Sequence, residues 1–243
     1  TCSLTNPSGC GGTAQPEVPA PPTPTPPTQP APDPAAAAAA VSLVVSSSEL
    51  GSAGQASDEV SVTALVKTVD NTAVAGAPIS FTADSGFLVV TNAVTDKSGK
   101  ASAMLGTGGS RLNRTIRVTA RVGSQSASAV VHVAGTRLSI AGPGSVLLGG
   151  SADLVATLVD SAGRPVSGEQ VSVNSKIGNV LSPASPVSNS KGQVTVRLQA
   201  SQRGDEQVSV SALGATAAKA LSVNGSELVL TPAIVIEESG LEM

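Results

Sequence analysis

Few residues in this chain are equipped for chemistry. Its 243 residues include two cysteines, one histidine and neither tryptophan nor tyrosine. Both cysteines, Cys2 and Cys10, lie at the N-terminal end. Two chemistries suit them. A lipid on Cys2 would tether the chain to a membrane, and a Cys2–Cys10 disulfide would close a small loop in an oxidising compartment. The Gly- and Pro-rich tether after Cys2 favours lipidation, with the disulfide as the alternative, although Thr1 is an unusual residue to precede a lipidated cysteine. His132 alternates with Val131 and Val133, so it faces solvent if the valines face a core. A single histidine with no cysteine near it is a poor zinc set. It also leaves a Ser-His-Asp triad without a well-placed base, and no G-x-S-x-G elbow precedes a helix.

Paired carboxylates are the remaining candidates for acid–base work. Asp58-Glu59, Asp205-Glu206 and Glu237-Glu238 are adjacent acids. Neighbours in a strand point to opposite faces, so such pairs do not converge on one atom. They read as solubilising turn charges. Asp70-Asn71, Asp96-Lys-Ser-Gly99, Asp160-Ser-Ala-Gly163 and Asn189-Ser-Lys-Gly192 sit between apolar runs. No loop places three oxygen ligands close together, as a calcium site needs. The pattern fits turns, with the Asp or Asn accepting a backbone bond two residues on and Gly supplying the left-handed position. Asn113-Arg-Thr matches a glycosylation acceptor pattern, which is common by chance. No catalytic, metal or cofactor site is expected.

The elements around these residues are strands. Apolar and polar residues alternate in short runs such as Val60-Ser-Val-Thr-Ala-Leu-Val and Ala129-Val-Val-His-Val, broken by Gly, Asn, Asp and Ser. Period two is the strand pattern, and many short strands at regular spacing predict a sandwich or barrel. With only Phe81 and Phe87 as aromatics, the core must come from Val, Leu, Ile and Ala. Charged residues are 13% of the chain and the net charge is −3. There is no basic stripe for phosphate, so nucleic acid is excluded as an expected partner. No 18-residue apolar run marks a membrane helix.

Composition changes sharply near residue 40. Residues 1–13 form a Cys-containing tail, and 14–40 are Pro/Ala-rich. Proline at every second or third position leaves polyproline II, a semi-rigid spacer that at about 3.1 Å per residue reaches roughly 60–70 Å. Beyond it the sequence repeats at about 92 residues, the length of a whole domain. Ala64–Phe81 lines up with Ala156–Val173, Asp96–Leu105 with Asn189–Leu198, and Ile116–Ala120 with Val208–Ala212. The opening strand occurs three times, as Leu43-Val-Val, Leu138-Ser-Ile and Leu228-Val-Leu. The expected organisation is a first domain at 41–135, a second at 136–225, and at 226–243 the first strand of a third repeat or a C-terminal tail.

The motifs Val74-Ala-Gly76-Ala-Pro-Ile-Ser-Phe81, Thr95-Asp96-Lys-Ser-Gly99-Lys-Ala and Asp160-Ser-Ala-Gly-Arg-Pro-Val-Ser-Gly168 resemble bacterial immunoglobulin-like domains of the invasin/intimin type. The resemblance covers 41–225. It implies an all-β fold of tandem immunoglobulin-like sandwiches, each of seven to nine strands; the disordered Pro-rich stalk before them is read from composition. The resemblance implies a non-catalytic spacer or adhesin-like protein at the bacterial cell surface or outer membrane. Partners would be a host or neighbouring-cell surface protein or glycan. The N-terminus departs from the type, which places a membrane β-barrel before its modules; here Cys2 is the candidate membrane tether. The resemblance supplies no catalytic residue. Two other functions compete: a glycan- or matrix-binding accessory module, for which Phe87 is the only candidate platform, and a fibre subunit in which 227–243 adds a strand to a neighbouring chain. A further reading makes the chain the non-catalytic part of a larger enzyme.

Overall fold

The computed structural model describes residues 33–225. Cys2, Cys10, the Pro-rich stretch up to residue 32, and 226–243 with Glu237-Glu238 lie outside the described residues. All sixteen regular elements longer than one turn are strands. The first eight are β1 (Ala40–Val45), β2 (Glu49–Gly51), β3 (Val60–Lys67), β4 (Ser80–Ala83), β5 (Phe87–Asn92), β6 (Lys100–Gly106), β7 (Arg114–Val122) and β8 (Gln125–Ala134). The second eight are β9 (Arg137–Ala141), β10 (Ser145–Leu147), β11 (Ser151–Val159), β12 (Ser172–Ser175), β13 (Val180–Ser182), β14 (Gln193–Gln199), β15 (Gly204–Ala212) and β16 (Ala215–Asn224). One 3₁₀ turn, Ala56–Asp58, interrupts them.

These strands form four four-stranded sheets. The orders β1-β3-β6-β5 and β2-β8-β7-β4 make the first sandwich, and β9-β11-β14-β13 and β10-β16-β15-β12 make the second. Each sandwich thus has eight strands, as the sequence resemblance implies. Pairing is antiparallel except where β2 and β10 run parallel to β8 and β16. The alternation in the sequence is the cause. In β3 every second residue, from Val60 to Val66, is buried, and the residues between are half-exposed. With one face buried, that pattern fixes the register, because a one-residue slip would expose the whole set.

The cores are aliphatic. The first gathers Val60, Val62, Val66, Leu105, Ile116, Val118 and Val131 around Phe81. Ala35 and Ala38, at the end of the Pro/Ala-rich stretch, pack against it. The second core falls into two clusters, one around Leu158, Val171 and Val210, the other around Leu154, Leu198, Val208 and Leu221.

The copies correspond strand for strand, with one correction to the repeat. The hairpins Val122–Gln125 and Ala212–Ala215 are equivalent, and counting back six pairs from each reaches Ile116 opposite Val131 and Glu206 opposite Leu221. Ile116–Ala120 therefore corresponds to Glu206–Val210, not to Val208–Ala212. The connection from β14 to β15 is three residues shorter than that from β6 to β7. A two-residue slip keeps every side chain on its own face, so period-two matching alone does not detect it.

Candidate functional site

The buried polar chemistry gathers at two places, where the sandwiches meet and around Glu206 inside the second. Three of the four Asp/Asn segments form the expected turns. Asp96 Oδ1 accepts from the amides of Ser98 and Lys100 at 2.7 and 3.0 Å, and Asn189 Oδ1 from those of Lys191 and Gln193 at 2.9 and 3.0 Å. Asp160 Oδ1 accepts from Ala162 and Arg164, both at 3.0 Å. In the fourth, Thr68 does the work of Asp160: its hydroxyl accepts from the Thr72 amide at 3.2 Å, and Asn71 takes the left-handed position with φ 61°.

Asp160 has a second role that Thr68 lacks. Its side chain is fully buried, and Oδ2 accepts from Arg164 Nε at 3.0 Å. Arg111, reaching over from the first sandwich, places its Nε 3.6 Å from the same oxygen. That nitrogen is buried and makes no hydrogen bond. Burial opposes ionisation of Asp160, but the Arg164 amide and guanidinium and the Ala162 amide outweigh it and hold the carboxyl below the ordinary aspartate value.

Backbone contacts complete the joint. The Arg164 guanidinium donates to the Ala53 carbonyl at 2.8 Å, and the Ala53 amide donates to the Ser161 hydroxyl at 2.8 Å. The Ser161 amide donates to Ser52 Oγ at 3.0 Å, and the Asn113 amide to the Leu213 carbonyl at 3.0 Å. Gly135, in the two-residue connection between β8 and β9, has φ 101°, and a Cβ there would lie 2.4 Å from that of Ser161. Only glycine lets the chain pass so close in that conformation. The Asn113 carboxamide is occupied as well, donating to the Thr136 carbonyl at 2.9 Å and accepting from its amide at 3.1 Å. The glycosylation pattern therefore coincides with a side chain that ties the connection in place.

The second polar centre is Glu206, 2% exposed. It is no solubilising turn charge: it lies within β15 at the core position that Ile116 holds in the first sandwich. Oε1 accepts from the amides of Lys176 and Gln207, both at 2.8 Å. Oε2 accepts from Ser175 Oγ at 2.5 Å and Asn179 Nδ2 at 2.7 Å. Burial opposes its charge, but the Ser175 and Asn179 side chains and the two amides together hold the carboxyl below the ordinary glutamate value. Asn179 Oδ1 accepts in turn from Ser201 and Gln202 at 2.8 and 2.7 Å, fixing the loop before β15. Arg114 fixes the matching loop of the first sandwich, donating to the carbonyls of Thr107 and Leu112.

The remaining candidates stay apart. His132 is exposed on β8 between two buried valines, its Nδ1 3.3 Å from Thr115 Oγ1. Asp58 Oδ2 accepts from the Gln55 amide at 3.3 Å at the 3₁₀ turn, and Asp205 is exposed on β15. Among the described residues no three His, Cys, Asp or Glu side chains assemble as metal ligands. Nor is any helix there long and apolar enough to cross a membrane. Phe81 is buried, whereas Phe87 is 61% exposed beside a shallow cleft of about 190 Å³ lined by Gln55, Glu59 and Thr107. Sequence reading missed the joint and the Glu206 network. The available sign was that aligned positions change type, Thr68 to Asp160.

No protein-family model matches the chain, and no curated protein matches it in sequence. Among solved structures, its fold is similar to that of the adhesin InvE of Yersinia pseudotuberculosis, with TM-score 0.50 and 19% identity over 76% of this chain. The chain spans 58% of the InvE structure. Invasin, described as a bacterial integrin-binding protein, aligns at 20% identity over 76% of this chain and 39% of its own, with TM-score 0.39. InvD of Y. pseudotuberculosis aligns at 19% identity over 79% and 60%, with TM-score 0.38. The neighbours are thus immunoglobulin-like modules of the invasin/intimin type, and the likeness is one of fold.

Proposed function

We propose that the chain is a non-catalytic, adhesin-like protein of the bacterial cell surface whose sandwiches act as a spacer. The observation that carries this reading is the joint: Arg111, Asp160, Arg164, Ser161 and Gly135 tie the two sandwiches to each other. The fold shared with an adhesin supports the surface location. Residues 14–40 extend the spacer, and Cys2 tethers it by a lipid. The partner is a host or neighbouring-cell surface protein or glycan. Small-angle scattering of the full chain tests the spacer role. The expected profile is that of two sandwiches held in line, and replacing Arg111 and Asp160 together by Ala broadens it. A profile of freely hinged sandwiches in the parent chain would refute the reading.

A second reading rests on Phe87. An exposed ring beside an amide, a carboxylate and a hydroxyl is the kind of surface on which a sugar stacks and hydrogen-bonds. A glycan array probed with the parent chain and Phe87→Ala decides it, since binding that survives the substitution removes Phe87 from the argument.

A further inference from the structure

The outer face of the sheet β1-β3-β6-β5 is unlike its counterpart in the second sandwich. Residues that alternate with the buried ones along these strands point outward. Leu65 and Met104 are half-buried there, and Val44, Phe87 and Val89 are 63%, 61% and 44% exposed. The register joins them into one band. Phe87 lies opposite Gly106, Val89 opposite Met104, and Val44 opposite Thr63. The corresponding face of β9-β11-β14-β13 is built differently. Asp153 and Arg197 stand where the first sandwich has Ser61 and Met104, and the guanidinium donates to both carboxylate oxygens at 2.8 and 3.0 Å. Ser182 stands where the first has Val89.

Charge on this face is confined to its two ends. Glu59 marks one end. It is extended directly before β3, with φ −61° and ψ 138°, and its Cγ lies 3.8 Å from the place of a Cβ on Gly106. Lys67 and Lys100 mark the other end, Lys67 Nζ donating to the neutral Asn71 carboxamide at 2.7 Å. Asp96, beside Lys100, gives Oδ1 to the turn amides of Ser98 and Lys100. Glu59 and Lys67 are each four residues from Thr63 and share its face. A face with an acid and a base placed symmetrically about its middle, and apolar side chains between, is complementary to itself.

We propose that this face docks a second copy of the chain, the two first sandwiches packing sheet on sheet with their strands antiparallel. A two-fold axis across the strands at Thr63 sets Glu59 of each copy against Lys67 of the other. Because the interface is isologous, each contact is made twice. The apolar bands of the two copies meet between these pairs, which accounts for a contiguous exposed apolar surface on one sandwich and not on its repeat. The second sandwich cannot dock in this way, since Asp153 and Arg197 occupy the middle of its face and satisfy each other. The joint between the sandwiches and this docking are independent of each other.

Sedimentation velocity of the full chain over a range of concentrations tests the proposal, with reductant present so that Cys2 and Cys10 link no chains. The expected result is a monomer–dimer equilibrium that shifts with concentration. Ser61→Asp with Met104→Arg installs the ion pair of the second sandwich and should abolish the dimer. Glu59→Lys and Lys67→Glu should each raise the dissociation constant about tenfold by bringing like charges together, and the two combined should restore it. A parent chain that stays monomeric throughout would overturn the proposal. So would a dimer that survives Ser61→Asp with Met104→Arg, or one that the combined charge exchange does not restore. Glycan binding by a monomeric parent, lost in Phe87→Ala, would assign the face to a sugar and overturn it too. Circular dichroism checks that each variant keeps its strands. If the Ser61 and Met104 variant does not fold, Val89→Ser, which takes the residue of the second sandwich, repeats the measurement and should weaken the dimer.

Discussion

Asp160→Asn separates the turn from the joint. Oδ1 takes the two turn amides and Oδ2 takes the arginines, and asparagine keeps the first oxygen while replacing the second by an NH₂ group. Asn189 shows that an asparagine serves the same turn. What is lost is one charge-assisted hydrogen bond to Arg164, about 1.5–3 kcal/mol. The Arg111 pair at 3.6 Å adds well under about 1 kcal/mol, because that side chain is 40% exposed and the geometry is loose. Relief of the carboxylate's burial offsets part of this, so we expect a loss of about 2 kcal/mol at the joint and in the second sandwich. Asp160→Ala also removes two neutral turn bonds of about 1 kcal/mol each and should cost about 4 kcal/mol. Two sandwiches need not unfold together, so the assay is native-state hydrogen exchange resolved by residue, with the core of the first sandwich as internal reference. Two results would refute the reasoning. One is an Asn variant as stable as the parent, and the other is an Asn variant that loses as much as the Ala variant. Either would mean that the second oxygen is not the one holding the joint.

Glu206→Gln keeps two of the four donors satisfied but turns an NH₂ towards the Asn179 amide, which cannot flip without releasing Ser201 and Gln202; a loss of about 3 kcal/mol confined to the second sandwich is expected in urea unfolding. Gly135→Ala should loosen the joint, since its Cβ meets that of Ser161 at 2.4 Å, whereas Gly163→Ala, with φ 76° and nothing within 4 Å, should cost only the left-handed strain of about 1–2 kcal/mol; the two melting temperatures compare them. Asp160 and Glu206 have folded values below their unfolded ones, so the stability they contribute is present above the ordinary carboxylate range near pH ~4 and is lost as pH falls through the lower folded values. A melting temperature steady from neutral pH to about 5 and falling below about 4 is expected, with a shallower fall in Asp160→Asn; an unchanged slope in that variant would remove Asp160 from the account.

The strands were legible because one face of each is buried, and alternation such as Val60-Ser-Val-Thr follows directly from that. The turns at Asp96, Asp160 and Asn189 were legible because they are local: an oxygen and the amides two and four residues on need no other part of the chain. Glu206 was not legible. Over Ile116–Ala120 the repeat rests on alternation, and a two-residue slip is silent to alternation, so Glu206 falls outside the aligned core and reads as a surface charge. The joint was illegible for a different reason. Arg111 and Asp160 come from different sandwiches, and no spacing rule brings them together.

The differences between the copies carry more information than their agreement. Positions that keep their type, such as Val66 and Leu158 or Leu105 and Leu198, fill cores that any aliphatic residue of suitable volume would fill. Two changes of type bear on the joint and on a loop. Thr68 becomes Asp160 where a neighbour's arginine must be met, and the Arg114 clamp gives way to Glu206 and Asn179 where the loop loses three residues. Gly51-Ser52 becomes the exposed pair Leu147-Leu148. Each substitution leaves the strand pattern intact. Three charged residues, Arg111, Asp160 and Arg164, meet at the seam between the sandwiches, and the buried Glu206 fixes a loop of the second. The buried carboxylates are taken up by arginines, amides and side chains of the fold itself.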